Sequence, residues 1–263
     1  MRVVSHTCSN TEIVCALGCA DMLVGIDTDS DYPPEVVAPL PKLGRDLDLD
    51  VEQVRTLKPD LVLTSLTVPG HERIVDGLRD HGLPLLVIDP LSLDDVYTSI
   101  IEIAEALGVL ARGRTLVAQM QAQMPPAESS AGRPKILVEW WPKPVIVPAR
   151  DSWVTDIIEL AGGINPCAVQ AMKSVQVSPD MAREMQPDAI VMSWCGVEEK
   201  TTAPTSYCAA KTGARFARYN GRMSLPSPRR FWAGPVRDLS RVIALFEESS
   251  RGQWPVIGFD LEA

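Results

Sequence analysis

One stretch limits what this chain can become more than any other: LDDVYTSIIEIAEALGVLARGRTLVAQMQAQM, residues 93–124. Ser92 stands where an N-cap is needed, and Asp94 and Asp95 fall in the first turn, where carboxylates complement the helix dipole. Val96, Ile100, Ile103, Leu107, Leu110, Val117 and Met124 recur at sums of three and four, the period of one helical face. Pro125 and Pro126 stop the pattern, and a small polar run, AESSAG, follows. At 1.5 Å per residue, a rod of about 32 residues would run roughly 48 Å. Gly108 and Gly113 each cost about 1 kcal/mol in a helix interior, so each marks a place for a kink or a break. Because the flanking segments resemble each other, the stretch is expected to be a backbone helix over 92–126, joining an N-terminal lobe (1–91) to a C-terminal lobe (127–263).

The flanks read as alternating strands and helices. In the first, strands are expected at 3–5, 23–26, 60–65 and 83–89. Helices are expected at 11–17 (opened by a capping box, Ser9 to Glu12), at 51–57 and at 71–82, the last with Ile74, Val75 and Leu78 inward. Residues 27–50, rich in Pro, Asp and Gly, show no periodicity and read as a loop. In the second flank a strand is expected at 135–138, a helix at 153–160 capped by Ser152 and ended by Gly162-Gly163, a strand at 218–225 and a closing helix at 236–248. MAREMQPDAIVMS (181–193) mirrors QVRTLKPDLVLTS (53–65). Continuous apolar strands between helices indicate parallel sheets covered by helices. The fold class is therefore α/β, with two lobes, each a small parallel sheet flanked by helices, joined by one long backbone helix.

Composition narrows the function. A net charge of −9 with no Lys/Arg run longer than two argues against a nucleic-acid partner, and no apolar run approaches the ~20 residues of a membrane span. The six cysteines lack the tight spacing of a secreted disulfide framework, and a strand follows Met1 with no leader pattern between them. The reading is a cytoplasmic monomer. The alternative is a periplasmic or cell-surface protein whose leader has been replaced by Met1. G-x-S-x-G, Walker A and H-E-x-x-H motifs are all missing from the sequence, so no enzyme signature stands out.

RVVSHTCSNTEIVCALGCADMLVGIDTDSDYPPE and PKLGRDLDLDVEQVRTLKPDLVLTS carry S-x-x-E, D-Y-P-P, P-K-L-G and L-K-P-D-L-V-L in one order. In this the chain resembles the helical-backbone substrate-binding proteins, which serve ABC importers of cobalamin, ferric siderophores and haem. VEWWPKPVIVPARDSWVTDIIELAGG and QPDAIVMSWCG are similar to the cobalamin-binding branch. The resemblance implies a non-enzymatic clamp holding a metal chelate between the lobes, with no intrinsic cofactor and, for an exported protein, an ABC permease as partner. Cobalamin or another corrinoid comes first as ligand, with haem and ferric siderophores open. Cobalamin-type members carry aromatics on the first lobe, where Leu66, Val68 and Pro69 stand here.

The strand ends expected to face the ligand carry Thr7, Cys8 and Leu66 in the first lobe, and Trp140, Trp141, Trp153, Trp194 and Cys195 in the second. Indoles are flat and cheap to order, which suits a planar macrocycle; core packing is the competing role for each. Arg229, Arg230 and Trp232, with Arg150, are candidates to meet anionic groups on the ligand. His6, Cys8 and Cys195 form a candidate metal set. Three unrelated structural residues are the alternative, and a cytosolic cysteine-centred enzyme or metal-handling protein is the rival function. The resemblance also implies one acidic docking residue per lobe, Glu72 in the first and Glu198 or Glu199 in the second.

Overall fold

The computed structural model describes residues 1–123, 132–192 and 215–218. They divide into two compact units: the first holds Met1–Pro90 and Asp94–Ala122, and the second holds Leu91–Leu93, Gln123, 132–192 and 215–218. The described residues of both units are α/β.

The first unit alternates strands and helices as its hydrophobic pattern demands. β1 (Val3–Ser5) runs into α1 (Cys8–Ala16), and a 3-10 turn leads to β2 (Leu23–Ile26). The stretch read as a loop holds α2 (Pro34–Val37) and a small antiparallel hairpin, β3 (Gly44–Arg45) with β4 (Asp48–Leu49). Then come α3 (Val51–Thr56), β5 (Leu61–Ser65), α4 (His71–Asp80) and β6 (Leu85–Ile88). The four long strands form one parallel sheet in the order β2-β1-β5-β6. Ile74, Val75 and Leu78 of α4 are buried as expected, and Ile74 and Leu78 join Val4, Leu43, Leu49, Val54 and Val62 in the core. Each such aliphatic chain contributes about 1.5–3 kcal/mol on full burial.

The expected rod is two helices, α5 (Leu93–Ala106) and α6 (Leu110–Gln123). Gly108 makes the break: at φ +73° it accepts the left-handed conformation that ends a helix, with its N–H on Glu105 O (2.9 Å) and Val109 N–H on Ala104 O (2.8 Å). Gly113 stays helical for a different reason. A Cβ built there would lie 2.5 Å from Ala104 Cβ, so the two helices touch through a missing side chain. Val96, Ile100, Ile103 and Leu107 are buried as read, but beyond the break the buried face is Gly113, Leu116 and Met120, with Leu110 and Val117 only half-buried. A single phase carried across Gly108 misplaces the second helix by one residue. Met124 lies outside the described residues.

The second unit contains β7 (Ile136–Glu139), β8 (Trp141–Pro142), β9 (Val145–Pro148), α7 (Trp153–Leu160), β10 (Ser174–Gln176), α8 (Pro179–Met185), β11 (Ala189–Met192) and β12 (Arg215–Arg218). Its parallel sheet, β12-β11-β7, is joined by an antiparallel one, β10-β9-β8, which the sequence reading lacked. Leu137, Val145, Val147, Cys167, Val177 and Ile190 fill its core. The third parallel strand lies at Arg215–Arg218, ahead of the expected 218–225; residues 219–225 and 236–248 lie outside the described residues.

The internal repeat holds at the level of single atoms. Lys58 and Gln186, each just before a Pro-Asp pair, have φ of +47° and +49°. Asp60 then exchanges bonds with Arg2 ahead of β1: its N–H donates to Arg2 O (2.8 Å), and its carboxylate accepts from Arg2 N–H (2.7 Å). Asp188 does the same with Lys135 ahead of β7, at 2.9 and 2.8 Å. In both units a Pro-Asp corner thus locks the start of a central strand to its neighbour.

Candidate functional site

In the order β2-β1-β5-β6, the chain leaves β1 toward β2 on one side and β5 toward β6 on the other. Such a switch point opens a crevice beyond the carboxyl ends of the two central strands, where open α/β sheets take ligands. The residues beyond β1 and β5 are His6, Thr7, Leu66 and Thr67, and His6 N–H is tied to Leu63 O at 2.8 Å.

This edge is built from buried polar groups. His6 is fully buried, with Nδ1 2.7 Å from Thr64 Oγ1 and Nε2 2.6 Å from Asp46 O. A carbonyl only accepts, so Nε2 carries the proton and Nδ1 accepts from the threonine hydroxyl. Burial lowers the His6 pKa to about 4, and the neighbouring His71 pushes the same way, against the Asp46 carbonyl and carboxylate. The imidazole of His71, also fully buried, meets His6 edge to face at 5.0 Å. Its Nε2 lies 3.6 Å from Asp46 Oδ2 and its Nδ1 3.4 Å from Ser65 Oγ. The His71 contact holds the Asp46 carboxyl below the usual carboxylate range.

Thr7 joins β1 to α1 at φ +82°, a conformation costly for a β-branched residue and typical of chains held in place for function. It is also where the reading of a capping box fails. The helix starts at Cys8, the N-cap is Thr7 without a side-chain cap bond, and Thr7 Oγ1 meets Ser9 Oγ at 3.0 Å. Cys8 is accordingly inside the helix, half-buried, rather than ahead of its cap. Cys15 sits in α1 and the buried Cys19 follows its end; burial pushes the Cys15 thiol up to about 11. Of the candidate metal set, His6 has both ring nitrogens in hydrogen bonds, Cys8 lies inside α1, and Cys195 lies outside the described residues. Among the described residues no cluster of His, Cys, Asp or Glu is arranged to hold a metal ion. Leu66 and Thr67 are half-buried, and Val68 is exposed. Glu72 is exposed in the first turn of α4, its carboxylate accepting from Gly70 N–H at 2.8 Å.

In the second unit two of the expected tryptophans come together. Ser152 caps α7 as read, its hydroxyl accepting from Val154 N–H (3.3 Å), and so places Trp153 in the first turn. Trp140 follows the buried end of β7, and its ring lies 6.2 Å from that of Trp153, tilted by 54°. Both are half-buried, whereas Trp141 is 45% exposed, with its indole N–H on Lys143 O (3.2 Å). Arg150 is exposed, and its guanidinium meets Asp151 at 3.1 Å. Trp194, Cys195, Glu198, Glu199, Arg229, Arg230 and Trp232 lie outside the described residues.

Sequence reasoning missed Asp46, Leu47 and His71. The apolar Leu47 is 39% exposed at the tip of a turn whose neighbours are polar, a pattern visible in GRDLDLD once the turn is recognised.

Residues 3–206 match the family described as Periplasmic binding protein. The uncharacterized ABC transporter substrate-binding lipoprotein YvrC of Bacillus subtilis is 32% identical over 199 residues, 72% of this chain. This chain spans 62% of that relative's length. The vitamin B12-binding protein of Vibrio cholerae is 25% identical over 195 residues, 73% of this chain and 70% of the relative. Among solved structures, the periplasmic heme-binding protein RhuT of Roseiflexus sp. RS-1 in apo form aligns with a TM-score of 0.68 and 27% identity, covering 94% of this chain and 98% of that one. The periplasmic vitamin B12 binding protein BtuF of Vibrio cholerae aligns at 0.70 with 22% identity over 94% and 98%, a likeness of fold.

Proposed function

The chain belongs to the periplasmic binding protein family, and from that premise we propose that it captures a metal chelate, a corrinoid first, and hands it to an ABC importer. The relatives are substrate-binding proteins, not enzymes, and the cysteine-centred enzyme loses its one nucleophile–base pair because His6 has no nitrogen left for Cys8. The observation that carries the ligand reading is the Trp140–Trp153 pair with Trp141 beside it at the carboxyl end of β7. Indole faces stack on flat macrocycles with little loss of side-chain freedom. The relatives named for vitamin B12 support the same ligand.

Haem is the second reading, favoured by the 27% identity to a heme-binding protein and by the aliphatic Leu47, Leu66 and Val68 on the first unit. In either case the proposed ligand-binding residues are Thr7, Cys8 and Leu66 in the first unit and Trp140, Trp141 and Trp153 in the second, with Trp194, Cys195, Arg229, Arg230 and Trp232 as further candidates from the sequence. Glu72 is the first unit's docking residue toward the permease, and Glu198 or Glu199 the second's. Work outside the cytoplasm follows from this role, in keeping with relatives that are a lipoprotein and periplasmic proteins. No helix of the described residues is long and apolar enough to cross a membrane.

Gel filtration of the protein with hydroxocobalamin, and separately with haemin, tests the proposal. Co-elution of visible absorbance with the wild type and its loss in Trp140→Ala supports it; free elution of both chromophores from the wild type refutes it.

A further inference from the structure

The turn between β3 and β4 is pinned at almost every polar group while its apolar tip is left in solvent. Gly44 has φ +101°, and a Cβ there would fall 2.3 Å from Asp48 O, so only glycine closes the hairpin. Its carbonyl accepts from Thr28 N–H at 2.7 Å. The Asp29 carboxylate takes both the Arg45 guanidinium (3.1 Å) and Asp46 N–H (3.1 Å). Asp46 O receives His6 Nε2–H, and Leu47 O receives Arg73 Nη2–H at 2.8 Å. Asp46 Oδ1 accepts from Leu47 N–H at 2.8 Å, with His71 Nε2 beside Oδ2. Leu47 itself leans on Gly70, where an added Cβ would sit 3.2 Å from Leu47 Cδ2.

Two fully buried imidazoles are a costly way to hold a surface hairpin. Both are anchored from β5, His6 through Thr64 and His71 through Ser65, so the turn is keyed to the carboxyl ends of the strands at the switch point. Groups fixed before a ligand arrives spare the ordering cost at binding. We propose that His6 and His71 are positioning residues that preset the Arg45–Asp46–Leu47 tip so that Leu47 meets the ligand without reorganisation. This rests on the ligand reading above. Neither imidazole touches the ligand; both act through Asp46.

The test uses the full chain and five forms: wild type, His6→Leu, His6→Gln, Leu47→Asp and the His6→Leu/Leu47→Asp double variant. Amide hydrogen exchange of the free protein is read at Asp46 and Leu47. His6→Leu is expected to speed exchange there at least tenfold while the β1 and β5 amides keep their protection, and His6→Gln, which restores an N–H donor to Asp46 O, is expected to recover most of it. Calorimetry with hydroxocobalamin and with haemin gives the second readout. His6→Leu and Leu47→Asp are each expected to weaken the bound probe about tenfold, with the double variant no weaker than Leu47→Asp alone. Unchanged affinity in His6→Leu, or effects that multiply in the double variant, would overturn the inference. A wild type that binds neither probe overturns the ligand reading and the binding role with it, while exchange still reports whether His6 holds the turn. Uniformly faster exchange in β1 and β5 as well would make His6 a general core residue and refute the positioning role.

Discussion

Lowering the pH from 7 to 5 is expected to weaken the fold through His6, and the size of the effect follows from its surroundings. In the folded chain burial lowers the pKa to about 4, whereas an unfolded histidine titrates near 6.5. The folded state therefore favours the neutral ring, so the contribution is fully present above pH 6.5 and shrinks as the pH falls toward 4. Linkage gives a loss of about 2 kcal/mol by pH 5 and about 3 kcal/mol by pH 4. The physical event is protonation of the histidine in the unfolded chain. The folded chain resists it, because a proton on Nδ1 would remove the lone pair that accepts from Thr64 and leave a charge in a fully buried ring beside His71. Asp27, raised by burial, works in the opposite sense as the pH falls, whereas Asp46, held low by its contact with His71, stays ionised over this range. The comparison is therefore between wild type and His6→Gln, each unfolded in urea at pH 7, 6 and 5 with the denaturant slope fitted separately. The wild-type stability is expected to fall toward that of the variant by about 2 kcal/mol over the interval. Parallel profiles would refute the reasoning, whatever their vertical offset.

Three further outcomes follow from single contacts. Gly113→Ala is expected to destabilise the first unit by about 1–3 kcal/mol despite the gain in helix propensity, because its methyl would lie 2.5 Å from Ala104 Cβ; adding Ala104→Gly should recover part of the loss in thermal melts. Ser152→Ala should cost about 1 kcal/mol by removing the acceptor for Val154 N–H at the start of α7, measured by urea unfolding. Trp140→Ala should weaken hydroxocobalamin binding at least tenfold by fluorescence titration, and Trp141→Ala should show whether the exposed indole adds to the pair.

Much of this architecture was legible because local signals and burial agree. β2 and α7 fall where the apolar run and the Ser152 cap put them, and the Pro-Asp repeat marked equivalent corners in both units. The misreadings arise where tertiary contacts override local pattern. Ser9 through Glu12 spells a capping box, yet the chain leaves β1 so abruptly that Thr7 takes the N-cap at positive φ and Glu12 is buried. The heptad-like phase over 93–124 does not reveal that Gly108 ends one helix, because a lone glycine is compatible with either outcome. At the candidate site the tryptophan cluster was visible as composition, but the pairing of Trp140 with Trp153 depends on the β7 end and the α7 cap meeting in space. The hairpin at 44–49 was hidden most completely. Its order comes from hydrogen bonds to Asp29, His6 and Arg73 and from the approach of His71, all far away in sequence, and no periodicity records such contacts.

The most direct test of the central claim is a calorimetric titration of the untagged wild-type chain with hydroxocobalamin under reducing conditions, with haemin titrated in parallel. Saturable one-to-one binding of one of the two, stronger for the corrinoid, is the expected result. Binding of haemin alone would replace the corrinoid by haem, and no saturable heat from either would contradict the reading of this protein as a carrier of planar metal chelates.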